Sequence, residues 1–214
     1  MGNRLFTVFF FLLLGACSQN QNRMSSKSNS GIAIDSTIDE QKTIVSLENA
    51  QTNKVTDDLG KLIGKIEFEL QLKGQKNSQD SIIPWISLET PDAEIKNLKN
   101  AKEIILAFDK VTLVIDYPLK NATRIELIST QKGFSREQLI LEISKEYHRI
   151  YKEEEATATI KTIPISERKT MYNRNQTNGK YGIWGHDLGD LDLSEILVYK
   201  TPEGKILLSL DIES

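Results

Sequence analysis

From residue 65 to residue 72 the chain alternates. Ile66, Phe68, Leu70 and Leu72 fall on one side, and Lys65, Glu67, Glu69 and Gln71 on the other. A period of two places successive side chains on opposite faces of a strand, so this stretch predicts a half-buried strand. Residues 82–88 predict a second strand with Pro84 inside it. Proline cannot donate to a strand ladder, so that strand must run at an edge or bulge. Apolar, β-rich stretches at 102–108, 111–117 and 124–130 continue the series, the last after the turn-like Pro118-Leu119-Lys120-Asn121-Ala122. They predict an antiparallel meander.

The period then changes. Leu139, Ile140, Ile143, Tyr147, Ile150 and Tyr151 recur at helical spacing, and Ser135 with Gln138 three positions on forms a capping box after the turn at Gly133. His148 falls on the flank of the helix, where a solvated histidine is expected, and Glu153 to Glu155 read as its solvated end. The chain closes on a hairpin signal: residues 196–199 and 205–212 flank Thr201-Pro202-Glu203-Gly204, a type I turn sequence, with Ile206, Leu208, Leu210 and Ile212 on one face. Strands, one long helix, then strands predict an α+β fold: an antiparallel sheet, meander plus C-terminal hairpin, with one main amphipathic helix packed on it.

The first residues follow another pattern. Arg4 precedes the apolar run 5–14, LFTVFFFLLL, which is shorter than the ~20 residues that span a bilayer and matches a secretory h-region. Leu14-Gly15-Ala16-Cys17 follows at once and resembles the lipobox of bacterial lipoproteins. The resemblance implies that 1–16 is a signal peptide and that Cys17 carries acyl chains, palmitate among them, anchoring the mature chain to a membrane of the cell envelope. Ser18, where an Asp would favour the inner membrane, favours the outer membrane of a Gram-negative envelope. Cys17 is the only cysteine, so no intramolecular disulfide forms. The Ser/Asn/Gln run after it cannot bury enough apolar surface to order itself. Residues 17–58 read as a polar tether with a marginal helix near 43–50, and 59–214 as one globular domain.

Charge narrows the partners. The chain has 214 residues, 27 Lys+Arg against 30 Asp+Glu and a formal net charge of -3, the two signs interspersed. Without a basic stripe to neutralise phosphates, nucleic acid is not expected as a partner.

One stretch gathers glycine, aromatic rings, histidine and carboxylates: GKYGIWGHDLGDL at 179–191. Its glycines at 179, 182 and 185 are spaced GxxGxxG, with no strand before and no helix after, so a phosphate-binding turn does not fit. His186, Asp187, Asp190 and Asp192 invite a metal reading, and with His148 they faintly imitate the ligands of HD-type phosphohydrolases. That family is helical around its metals, whereas these residues lead into β structure. Calcium could use Asp187, Asp190 and Asp192, though their spacing is no EF-hand, and zinc wants more nitrogen or sulfur than two histidines supply. No GxSxG elbow is present. The stretch, with MYNRNQTNGKY before it, resembles a motif of uncharacterised bacterial proteins over roughly residues 133–199, a resemblance that brings no activity with it.

Two uses fit this stretch. As a folding device, Tyr181, Ile183 and Trp184 would plug the core while His186 or Asp187 bonds the turn. As a recognition surface, Tyr181, Trp184, His186 and Asp187 would meet a ligand or an envelope partner. The primary expectation is a lipid-anchored envelope protein acting as a binding or structural module, with no metal and no cofactor. The alternatives are an envelope hydrolase or metal-dependent enzyme with His186, Asp187 and Asp190 as catalytic candidates, and an interaction or immunity-type module in an envelope complex.

Overall fold

The computed structural model describes residues 59–72, 81–130, 132–168 and 174–214. Residues 1–58, with the expected signal peptide, Cys17, the expected tether and the helix expected near 43–50, lie outside the described residues. The strands are β1 (Lys61–Glu67), β2 (Leu70–Gln71), β3 (Ile82–Ile83), β4 (Ile86–Ser87), β5 (Ile104–Leu106), β6 (Lys110–Ile115), β7 (Thr123–Ile128), β8 (Phe134–Ser135), β9 (Asp192–Lys200) and β10 (Ile206–Glu213). The helices are the short α1 (Pro91–Glu94) and the long α2 (Arg136–Thr157). The fold is α+β.

The main sheet runs β1-β9-β10-β6-β7, with β4 also on β9. All its pairings are antiparallel except β10 with β6. The C-terminal hairpin is therefore inserted between β1 and β6, so strand order in the sheet departs from chain order. Its turn forms as the sequence predicts: Gly204 N–H donates to Thr201 O at 2.9 Å, and Gly204 takes φ +84°. The expected strand at 82–88 is split around Pro84 into β3, which pairs with β2, and β4, which pairs with β9. The stretch at 102–108 contributes only β5, which leaves the main sheet to pair with β8. Leu72, at the end of the first alternation, is exposed.

Helix α2 starts where its capping box sets it. Gln138 N–H donates to Ser135 Oγ at 3.2 Å, and Ser135 N–H donates to Gln138 Oε1 at 2.9 Å. Leu139, Ile140, Ile143, Tyr147 and Ile150 are fully buried in one cluster with Ile66, Leu113, Leu127, Ile196, Val198 and Leu208 of the sheet. This is the core. Tyr147 keeps its hydroxyl satisfied by donating to Tyr117 O at 2.9 Å. On the opposite face of the sheet Leu59, Val114 and Leu207 form a second, small cluster. Among the described residues no helix is long and apolar enough to cross a membrane.

Candidate functional site

The stretch 174–191 runs between the C-terminal end of α2 and the connection from β6 to β7. On one side Asn121 N–H donates to Tyr181 O at 2.9 Å, Lys120 N–H to Gly182 O at 3.1 Å and Trp184 N–H to Pro118 O at 3.1 Å. On the other side the loop closes around a carboxylate. Glu154 Oε1 accepts from Thr177 Oγ1 at 2.6 Å and from Gly179 N–H at 2.7 Å, while Oε2 accepts from Tyr181 N–H at 2.7 Å and Gly182 N–H at 3.1 Å.

Glu154 is 0% exposed. The expectation that Glu153 to Glu155 form a solvated helix end holds for Glu155 and fails for Glu154. A carboxylate at a helix C-terminus opposes the macrodipole, and α2 has no basic residue in its last turn to offset it. The loop supplies the offset instead. Burial alone would push the Glu154 carboxyl up, but the Thr177 hydroxyl and the N–H groups of Tyr181, Gly179 and Gly182 outweigh it and hold the group below its ordinary value. Glu153, next in line, accepts from Lys180 Nζ, Tyr181 OH and Arg149 Nη1, each at 2.7 Å. Those three partners draw its carboxyl down to about 2.

The polar residues before the motif serve the same closure. Asn178 Oδ1 accepts from Ile160 N–H at 2.7 Å and Thr159 N–H at 3.0 Å, and Asn175 Oδ1 accepts from Ile163 N–H at 2.7 Å. These side chains stand in for ladder partners that the chain leaving α2 lacks. Glycine at 179 is a packing requirement: a Cβ there would lie 2.7 Å from Glu154 O, Glu154 Oε2 and Thr157 Oγ1.

The aromatic residues are inside. Tyr181, Ile183 and Trp184 expose 3%, 0% and 0% of their surface. Trp184 meets Tyr117 edge-on at 5.3 Å between ring centroids, and His186 stacks tilted on Tyr117 at 5.6 Å. Trp184 Nε1 is buried with no acceptor among the described residues. His186 is half-buried, and its carbonyl accepts from Tyr151 OH at 3.0 Å. Arg174, itself buried, lays its guanidinium 5.0 Å from the Tyr151 ring centroid and donates from Nη2 to Thr162 Oγ1 at 2.7 Å.

The acidic candidates are engaged one by one. Asp187 is clamped by Arg168, with Nη1 to Oδ2 at 2.6 Å and Nη2 to Oδ1 at 3.0 Å. Asp190 Oδ2 accepts from Asp187 N–H at 2.9 Å across the 3₁₀ turn Leu188–Asp190. Asp192 opens β9, and burial, with Glu94 and Glu213 nearby, pushes its carboxyl up. The described residues hold no group of three or more His, Cys, Asp or Glu placed to bind one metal ion. Asp187, Asp190 and Asp192 are thus not brought together as a calcium set. His148 is exposed on α2 with Nδ1 2.9 Å from Ser144 O, one turn back on its own helix.

Arg168, Arg174 and Glu154 were not apparent from the sequence. For Glu154 a signal existed: three successive glutamates at a helix C-terminus run against the macrodipole and so point to a specific partner. Comparison of the chain with protein-family models, with curated proteins and with solved structures finds no match.

Proposed function

We propose that the protein is lipid-anchored in the cell envelope through Cys17 and that its α+β domain acts there as a binding or structural module. The observation that carries the domain's part is the commitment of the motif to the fold. Glu154 is nested in the loop, Trp184 is buried, and Asp187 is held by Arg168. A general base or metal ligand needs a carboxylate or imidazole aimed at a space for substrate. Here the Glu153, Glu154 and Asp187 carboxylates are taken up by backbone N–H groups, hydroxyls and cationic side chains. The anchor rests on the apolar run and LGAC at 14–17.

Two experiments test this reading. Palmitate labelling and membrane fractionation of wild type and Cys17→Ala should differ, the wild type labelled and in the membrane, the variant neither; equal behaviour would remove the anchor. Purified protein offered phosphoester and ester substrates, with EDTA or with Ca²⁺ and Zn²⁺, should turn over none of them. Hydrolysis that His186→Ala abolishes would make the protein an envelope enzyme instead.

A further inference from the structure

The main sheet ends on β1 at one side and on β7 at the other, and the two edges are built differently. Along β1 the register shifts between Leu62 and Gly64, a bulge that spoils pairing with a further strand. Phe68 N–H donates to Ser194 O at 2.9 Å, so Glu67, one residue earlier, turns its own backbone groups outward. Arg136 Nε takes that outward Glu67 carbonyl at 3.1 Å. A further strand finds no clean run on β1. On β7 all six residues keep an unbroken register with β6, and among the described residues no strand lies on its other side.

The hydrogen-bond phase of β7 follows from its last bond. Ser129 N–H donates to Asp109 O at 2.9 Å, next to the register pair Lys110 and Ile128. Bonded and non-bonded pairs alternate along an antiparallel ladder, so Leu127, Ile125 and Thr123 bond back to β6. Arg124, Glu126 and Ile128 then turn their N–H and C=O groups away from β6. Such an edge is a template for another strand. An antiparallel second copy can use these groups in three central registers. Two of them set Arg124 opposite Arg124 or Glu126 opposite Glu126, and like charges directly opposite are unfavourable. In the third the two-fold axis falls at Ile125, and Arg124 of each copy faces Glu126 of the other.

We infer that β7 is a self-complementary edge through which two copies of the chain join, antiparallel about a two-fold axis at Ile125. Backbone phase and charge select the same register. In it Ile128, 69% exposed in the single chain, lies beside Ala122 of the second copy, and Ile125, partly buried against the core, meets its own counterpart. Glu126 also pairs with Lys110 at 2.5 Å within the chain, but both side chains are exposed and such a surface pair is exchanged at little cost. The axis stands perpendicular to the sheet, so α2 lies on the same face in both copies and the contact is isologous. One pair of edge strands makes a small interface, so the dimer is weak, with a Kd of about 1–100 µM. The pairing does not rest on the lipid anchor.

The test is analytical ultracentrifugation of the full chain in detergent. Arg124→Glu and Glu126→Arg each set like charges across the axis, and each should weaken the dimer at least about tenfold. An equal mixture of the two variants restores opposite charges at both positions, as does the double variant Arg124→Glu/Glu126→Arg, and both should return to within about threefold of the wild-type Kd. A second readout covers a charge variant that folds poorly. In a Cys17→Ala background Ile125→Cys should link two copies by a disulfide, because a non-bonded antiparallel pair holds its Cα atoms about 4.5 Å apart. Ile128→Cys, set far from its own counterpart, should not. A wild type still monomeric at about 500 µM would overturn the inference. So would a dimer that the single charge variants leave intact, or one that Ile128→Cys links as well as Ile125→Cys, since the copies would then meet on another surface. None of these readouts depends on palmitate, so failure of the anchor and failure of the edge are separable.

Discussion

Glu154 Oε2 lies 2.7 Å from the backbone N–H of Tyr181, and this bond joins the C-terminal end of α2 to the aromatic loop that precedes β9. The residues are 27 positions apart in the chain. One carboxylate, fully removed from water, takes three backbone donors and a hydroxyl from a stretch with no regular secondary structure of its own. Charge-assisted bonds of this kind are about twice as strong as neutral ones. They make the loop part of the core.

Acid should open this contact. The carboxyl groups of Glu153 and Glu154 sit below the ordinary 4.5, Glu153 at about 2. The unfolded chain then takes up protons before the folded one does, so their contribution is present above the ordinary 4.5 and is lost as pH falls below it, for Glu153 toward about 2. Urea melts at descending pH should show stability falling through that window, and falling less steeply in Glu154→Gln. Parallel curves for the two proteins would contradict the assignment.

Gly179→Ala tests the closeness of the loop. Its Cβ would meet a backbone oxygen, a carboxylate and a hydroxyl at 2.7 Å, none of them free to move without breaking the nest. A loss of about 1–3 kcal/mol is expected from overpacking. A stability equal to wild type in urea melts would show that the loop does not press on α2.

Trp184 separates shape from chemistry. Trp184→Ala removes a fully buried side chain and should cost about 3–5 kcal/mol. Trp184→Phe keeps an aromatic plug against Tyr117 and deletes a buried N–H that has no acceptor among the described residues, so it should cost less than about 1.5 kcal/mol. Equal losses in thermal melts would mean the indole nitrogen has a partner that matters.

The start of α2 gives a milder effect. Ser135→Ala should cost about 0.5–2 kcal/mol through the lost cap, and Ile143→Ala about 2–5 kcal/mol through a core cavity. A loss below about 0.5 kcal/mol for Ile143→Ala would mean that this face of the helix does not pack.

Local signals were legible where they act over a few residues. Ser135 and Gln138 cap each other, the helical spacing from Leu139 to Ile150 marks the buried face, and Pro202 with Gly204 marks the hairpin turn. Pro84 announced an interruption, though not that its two halves would pair with different strands. The parallel pairing of β10 with β6 has no local signature, because each strand reads the same whichever neighbour it takes. For the motif, the burial of Tyr181, Ile183 and Trp184 follows from their apolarity, whereas the bidentate Arg168–Asp187 pair joins residues 19 apart across an irregular chain. Glu154 was hidden by its neighbours: Glu153 and Glu155 are partly or fully solvated, and nothing in a run of three glutamates says which one turns inward.

The most direct measurement is thermal unfolding of Glu154→Gln beside Glu155→Gln, with hydrogen exchange of residues 177–183 in each. If the motif is a folding device closed on Glu154, the amide at 154 turns an N–H₂ group toward backbone donors. Glu154→Gln should then lose about 2–5 kcal/mol and release the amides of Gly179, Tyr181 and Gly182 to fast exchange. Glu155→Gln, on an exposed side chain, should melt within about 0.5 kcal/mol of wild type with those amides still protected. If the two variants melt alike and the loop amides stay protected in both, the nest does not hold the loop and the folding role of GKYGIWGHDLGDL is wrong.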